Sequence, residues 1–190
     1  MIRAALTALA RLSAGRRYCD LRIGPGSQVD FWKLRAQTNN GLEVGARSLV
    51  SARVIYERPD ARLRLGSRSF VGNGLMSIAE CIEIGDDVMI SWGSTIVDHH
   101  SHSLRASQRL GDVERWLAGE KVWSGVKIAA VRIENRAWLG FNVSVLAGVT
   151  IGEGAIIGAC SLVTNNIPPW TIAAGNPARP LRALTEEERK

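Results

Sequence analysis

The stretch IENRAWLGFNVSVLAGVTIGEGAIIGACSLV, running from Ile133 to Val163, decides the fold. Every sixth residue is aliphatic without exception: Ile133, Leu139, Val145, Ile151, Ile157 and Val163. A second ladder, four places further on, holds Ala137, Val143, Val149, Ala155 and Ser161, all small or β-branched. Glycine follows the aliphatic at Gly140, Gly152 and Gly158. A period of six is neither the two of an ordinary strand nor the 3.6 of an amphipathic helix. It is the signature of a parallel β-helix, a coil of flat faces in which equivalent side chains stack from one turn to the next. No single coil buries its own apolar side chains, so stability must come from stacking. Each aliphatic side chain removed from water contributes roughly 1.5–3 kcal/mol before the entropy of ordering is subtracted.

Working outward, the same pattern recurs upstream in shifted phase at Ile23-Gly24, Val44-Gly45 and Leu65-Gly66, and tightens at Ile78, Ile84, Ile90 and Ile96. It then disappears from about Val97 to Arg132. That insertion holds all three histidines of the chain, His99, His100 and His102, and two of its six tryptophans, Trp116 and Trp123. Disordered segments are poor in aromatics, so an ordered arm is expected. At the other end Ile167-Pro168-Pro169-Trp170 is expected to end the coil, because proline removes a ladder donor. Residues 181–190, closing in Glu186-Glu187-Glu188-Arg189-Lys190, read as a short exposed helix. At the start, residues 2–17 carry Ile2, Ala5, Leu6, Leu9 and Leu12 between arginines, a short amphipathic helix that would either close the open end of the coil or rest on a membrane. The expectation is one all-β domain over residues 1–190. It divides into an N-terminal helix (1–20), coils (21–97), an inserted active-site arm (98–132), regular coils (133–169) and a C-terminal turn and helix (170–190).

With 190 residues and 46% apolar composition the chain suffices for one well-buried core. No apolar run approaches the ~18 residues of a membrane span. Cys19, Cys81 and Cys160 are odd in number and far apart, which argues against a disulfide framework and for a reducing compartment. The net charge of +6 is unevenly placed: residues 1–68 carry 13 Lys or Arg against 5 acids, and the remainder is slightly acidic. A solvated arginine-rich surface, an anionic membrane and a polyanionic substrate all suit that surplus. Nucleic acid does not, because no recognised binding motif or aromatic stacking pattern accompanies it.

Asp98-His99-His100-Ser101-His102 stands where the coil gives way to the arm. An imidazole titrates near neutrality and can take a proton from a hydroxyl or amine, and Asp98 would hold one ring in the required tautomer. Zinc is the alternative use of three imidazoles, but three ligands within four residues of extended chain converge poorly on one ion.

The segment from about Ile84 to Pro180 resembles the hexapeptide-repeat acyltransferases. The carrying residues are Ile84-Gly85-Asp86-Asp87-Val88, Trp138-Leu139-Gly140, the run from Val145 to Ala159, Val163-Thr164, Ile167-Pro168-Pro169 and Ala174-Gly175-Asn176-Pro177-Ala178-Arg179. Within that family the histidine segment and arm are similar to sugar O-acetyltransferases of polysaccharide and lipopolysaccharide assembly and to maltose and galactoside acetyltransferases. The resemblance implies a left-handed parallel β-helix, a homotrimer with sites between subunits, acetyl-coenzyme A as acyl donor with no metal, and a sugar hydroxyl as acceptor. It implies a histidine base, His102 by the local match Ser101-His102-Ser103-Leu104, with His99 as second candidate. Coenzyme A would lie near Trp138, Ala147, Gly148 and Thr164, with its phosphates on Arg179 or Arg182. Trp92, Trp116 and Trp123 are the candidate acceptor-binding residues. A cytoplasmic protein is implied, with peripheral contact at the inner face of the membrane through residues 2–17 as an added expectation. Two departures stand out: Asn165-Asn166 replaces the Lys-Asp pair common before the Ile-Pro turn, and Gly93 replaces an asparagine near the acceptor of maltose-type enzymes. An N-acetyltransferase of amino sugars, a zinc protein like the γ-type carbonic anhydrases and a non-catalytic trimeric scaffold are the competing functions.

Overall fold

The six-residue ladder is built as short parallel strands that stack into three sheets. The structure, a computed structural model, describes residues 18–190; the helix expected over residues 2–17 and its membrane contact lie outside the described residues. Face A stacks β1 (Tyr18–Ile23), β4 (Asn40–Val44), β7 (Arg62–Leu65), β10 (Cys81–Ile84), β13 (Val131–Ile133) and β16 (Thr150–Ile151). Face B stacks β2 (Gln28–Val29), β5 (Leu49–Val50), β8 (Phe70–Val71), β11 (Met89–Ile90), β14 (Trp138–Leu139), β17 (Ile156–Ile157) and β19 (Thr171–Gly175). Face C stacks β3 (Leu34–Arg35), β6 (Arg53–Tyr56), β9 (Leu75–Ile78), β12 (Thr95–Val97), β15 (Ser144–Val145) and β18 (Leu162–Val163). The chain passes from A to B to C and round again, an all-β parallel solenoid of the kind a left-handed hexapeptide-repeat helix forms.

The pattern residues form the core as the period requires. Leu139, Val145 and Ile151 are completely buried, and the second ladder, Ala137, Val143, Val149 and Ala155, is buried beside them. The large aliphatics sit within the two-residue strands, and the small residues close each corner, where less room remains. At the corner between faces B and C, Gly140 lies so close to the next coil that a Cβ would fall 2.7 Å from the Ala159 nitrogen, which explains why the aliphatic is followed by glycine. At the corner between faces A and B, Arg47, Arg68, Asp87 and Arg136 all adopt positive φ, and each donates its N–H to the coil before. Paired charges lie along the outside of face A, where Arg64 and Arg132 both bind Glu83 at 2.8 Å.

Two expectations need correction at the C-terminal end. The coil does not stop at Pro168-Pro169: Ile167 continues face A as a bridge to Ile151, and β19 continues face B against β17. The prolines fall at the corner, where their missing N–H groups break no ladder bond, and Trp170 resumes the pattern by donating to Glu153 O at 2.8 Å. Nor do residues 181–190 form a helix. Residues Ala178–Ala183 make β20, antiparallel to β19, because the free edge of β19 offers an unmet row of backbone donors and acceptors. Leu184 then returns to the coil end, buried and donating to Trp170 O at 2.7 Å. The acidic run closes only one turn, in which Thr185 and Glu188 exchange side-chain-to-backbone bonds of 2.9 and 3.3 Å.

Candidate active site

The candidate site lies at the corner between faces C and A. There the arm leaves the fourth coil after Val97 and returns at β13, and its two ends are tied together because Ala129 N–H donates to Asp98 O at 2.8 Å. Between them the chain forms α1 (Ala106–Arg109) and α2 (Asp112–Leu117), the ordered arm expected from its aromatics.

Asp98 has a different task from the one expected. Its fully buried carboxylate accepts backbone N–H bonds from Ala79 at 2.7 Å, Glu80 at 2.7 Å and Cys81 at 2.8 Å. It thereby closes the corresponding corner of the coil below, and it holds no imidazole. Burial pushes its pKa up, against the three N–H donors that favour the charged form.

His99 is buried, with both ring nitrogens engaged. Its Nδ1 accepts the Ser101 N–H at 3.0 Å, which leaves Nε2 as the protonated nitrogen, 3.1 Å from Ser77 Oγ. Ser77 in turn donates to Glu57 Oε1 at 3.0 Å, and the Trp123 ring meets the imidazole edge-on at 5.3 Å. Burial, the largest influence, holds the His99 pKa below the usual histidine value. His100 is exposed, and its N–H donates to Lys127 O at 3.0 Å.

His102 is arranged otherwise. Its Nδ1 lies 2.7 Å from Asp112 Oδ2 at the start of α2, and the opposite carboxylate oxygen accepts from Arg115 at 2.6 Å. The imidazole is half-buried under Trp116, with ring centroids 5.0 Å apart. The bonds from His102 and Arg115 hold the Asp112 carboxyl below the usual carboxylate range. A carboxylate on Nδ1 selects the tautomer with a proton there and presents Nε2 as an acceptor. Among the described residues Nε2 of His102 has no protein partner, so of His99 and His102 only this imidazole leaves a ring nitrogen free.

The remaining expected residues fall into separate groups. Trp116 and Trp123 join the histidines through Lys121, whose Nζ lies 5.6 Å from one ring and 4.4 Å from the other. Trp92 does not join them. It stands exposed at the corner between faces B and C, stacked on Phe141 at 5.7 Å. Ala147 and Gly148 occupy the arm's own corner one coil higher, where Gly148 N–H donates to Ala129 O at 2.9 Å. Gly148 has φ +81, and a Cβ there would meet only Ala129 Cβ, at 3.3 Å, so its outer side is open. Thr164 lies exposed at the same corner in the following coil. Trp138 is exposed on face B, and Arg179 on β20 of the same sheet, so neither is next to that corner within one chain. Arg182 pairs with Glu188 through two bonds of 2.7 Å, whereas Arg179 makes no ion pair among the described residues. The same residues contain no cluster of three His, Cys, Asp or Glu side chains that converges on a point.

Asp112 is the partner of His102 that sequence reasoning missed. It is ten residues from His102, and the only signal was an acid at the head of a short helix in the same arm.

Comparison with known proteins agrees with this fold. The family of bacterial transferase hexapeptides (six repeats) matches residues 130–165. A Schizosaccharomyces pombe protein whose name assigns it provisionally to the acetyltransferases is 48% identical over 65 residues, 34% of this chain and 31% of its own. The chain thus spans about a third of the length of the first curated relatives it matches. Galactoside O-acetyltransferase of Escherichia coli (strain K12) is 30% identical over 140 residues, 71% of this chain and 61% of that protein. Among solved structures, a hexapeptide-repeat-containing acetyltransferase from Vibrio cholerae superposes with a TM-score of 0.62 at 25% identity, over 98% of this chain and 94% of that one. Its complex with acetyl-coenzyme A superposes at 0.53 and 27% identity, over 76% and 72%.

Proposed function

Because the chain belongs to the hexapeptide-repeat transferase family, we propose that it moves an acetyl group from acetyl-coenzyme A to a sugar hydroxyl, with His102 as general base. The observation that carries this reading is the His102–Asp112 pair, an oriented imidazole with a free Nε2 on an arm rooted at the Ala147–Gly148 corner. Nε2 takes the proton of the acceptor hydroxyl as its oxygen attacks the thioester carbonyl. The carbon–sulfur bond then breaks, and the imidazolium returns the proton to the departing coenzyme A thiolate. A base of this kind contributes about 10²–10⁴ in rate, and holding both substrates in one cleft supplies more by orientation.

The donor would lie along the corner of Ala147, Gly148 and Thr164, where small side chains leave room for a pantetheine arm, with Arg179 taking phosphate. Trp138 and Arg179 stand on face B, away from that corner, so a complete donor site needs face B of one copy against the corner of another. A homotrimer with sites between subunits satisfies that need. The galactoside relative and the basic surface support a sugar of a surface glycan or its lipid-linked precursor as acceptor, and a cytoplasmic location follows from that role. Among the described residues no helix is long and apolar enough to cross a membrane.

Thiol release from acetyl-coenzyme A in the presence of a sugar panel tests the reading, alongside a native mass. Turnover should fall by about 10²–10⁴ in His102→Ala. Turnover unchanged in that variant would remove His102 from the mechanism, and no saturable binding of acetyl-coenzyme A would remove the activity itself.

A further inference from the structure

Among the described residues the arm cluster holds a cation that no acid answers. Glu57 is fully engaged: one carboxylate oxygen accepts from Ser77 at 3.0 Å and the other pairs with Lys121 at 3.5 Å. Asp112 is likewise divided between His102 and Arg115. Next to Glu57, half-buried Arg58 places its guanidinium 5.8 Å from the centroid of Trp123, the ring that also covers His99. Among the described residues Arg58 makes no ion pair. It sits in the loop between β6 and β7, on the edge from which the arm emerges two coils later. The contacts run without a break from His102 to Trp116, Lys121, Trp123 and Arg58. An unanswered guanidinium at the end of an aromatic row is built to bind a carboxylate or phosphate in a forked geometry, while the rings take the apolar faces of a sugar.

We infer that the acceptor presented to His102 is an anionic saccharide, its carboxylate or phosphate held by Arg58 at the Trp123 end of the arm. The inference rests on the acyl-transfer reading of this site and adds the charge of the acceptor to it. Arg58 is one of the 13 basic residues of the first 68. Lys121 is a lesser contributor, since Glu57 already meets its charge.

Tryptophan fluorescence can report binding at this row without turnover. The intact protein would be titrated with glucuronate, with galactose 6-phosphate and with neutral methyl galactoside. One of the two anionic sugars should half-saturate at a concentration about tenfold or more below the neutral one, and which of them does so identifies the group as carboxylate or phosphate. Arg58→Met should abolish that preference and Arg58→Lys should keep part of it, with melting temperatures unchanged. Equal binding of charged and neutral sugars, no binding of either, or a preference that survives Arg58→Met would overturn the inference. Calorimetric titration of acetyl-coenzyme A into wild type and Arg58→Met separates the donor: equal affinities are expected, and a loss confined to the variant would assign Arg58 to coenzyme A instead. Failure of wild type to bind acetyl-coenzyme A would sink the acyl-transfer reading, whereas the sugar titrations would still decide the charge preference.

Discussion

Nδ1 of His102 and Oδ2 of Asp112 lie 2.7 Å apart, although ten residues separate them in the chain. The carboxylate fixes the ring that Trp116 covers, and in the proposed acyl transfer it would steady the imidazolium formed when Nε2 takes a proton. In that proposal Asp112 acts through His102, as a positioning residue. Asp112→Asn keeps the shape of the side chain but removes the charge and permits the wrong tautomer. We expect kcat to fall by about tenfold to a hundredfold, part of what a general base contributes, with KM for acetyl-coenzyme A little changed. Steady-state kinetics check this, and a rise in KM for acetyl-coenzyme A alongside the fall in kcat would mean that Asp112 only holds the arm's shape.

Asp98 supports the same arm by different means, and its replacement should be felt as stability. Asp98→Ala leaves the buried N–H groups of Ala79, Glu80 and Cys81 without their acceptor. A buried donor left unpaired costs about 1–3 kcal/mol, and three at one corner should cost about 3 kcal/mol or more. Urea unfolding would measure this, with Asp98→Asn expected to lose less because its amide oxygen still accepts. A loss below 1 kcal/mol in the alanine variant would show that the corner relaxes to reach water.

The two aspartates show where the sequence was readable and where it was not. The ladder from Ile133 to Val163 could be read because each coil repeats the same packing problem, so one solution recurs every six residues. The arm solves its problem once. Asp98 adjoins the histidines in sequence and looked like their partner, yet extended chain turns neighbouring side chains to opposite sides, and Asp98 faces the coil below. Asp112 reaches His102 only because the arm folds back through two short helices, and no period announces such a contact. At the C-terminus the charge run and the Thr185–Glu188 pair favoured a helix locally. The open edge of β19, which exists only once the coil has been stacked, won residues 178–183 for a strand.

The regular coil should fail where its ladder is cut. Leu139 is fully buried between Ile90 and Ile157 on face B. Leu139→Ala removes part of a stacked column that neighbouring coils cannot fill, and we expect a loss of about 2–5 kcal/mol. Gly140→Ala, one residue on, tests the opposite fault, since its Cβ would press on Ala159 N at 2.7 Å. Overpacking of this kind costs about 1–3 kcal/mol. Calorimetric melting of both variants checks the pair; near-wild-type melting of Gly140→Ala would show that adjacent coils can part without penalty.

Stability should also depend on pH through His99. Burial lowers its pKa in the folded protein below the ~6.5 of an exposed imidazole, so the folded state resists the proton that the unfolded chain accepts. The groups facing the ring are Glu57, which favours protonation, and Lys121 and His100, which oppose it. Where the unfolded state binds more protons, stability rises with pH. The stabilisation carried by neutral His99 is therefore complete above ~6.5 and is lost as pH falls from there toward the folded pKa. Asp112, with its carboxyl held low by His102 and Arg115, has the same sign, but its contribution is lost only as pH falls from the ordinary carboxylate range toward its lowered folded pKa. Protonated His99 would also have to surrender the bond its Nδ1 accepts from Ser101 N–H, and with it the turn that leads to His102. Melting temperatures measured from pH 7.5 down to about 5 should fall through this window, and the slope should flatten in His99→Asn, which keeps an acceptor near Ser101 but does not titrate. A slope of equal size in the variant would assign the window to other groups and leave His99 neutral throughout.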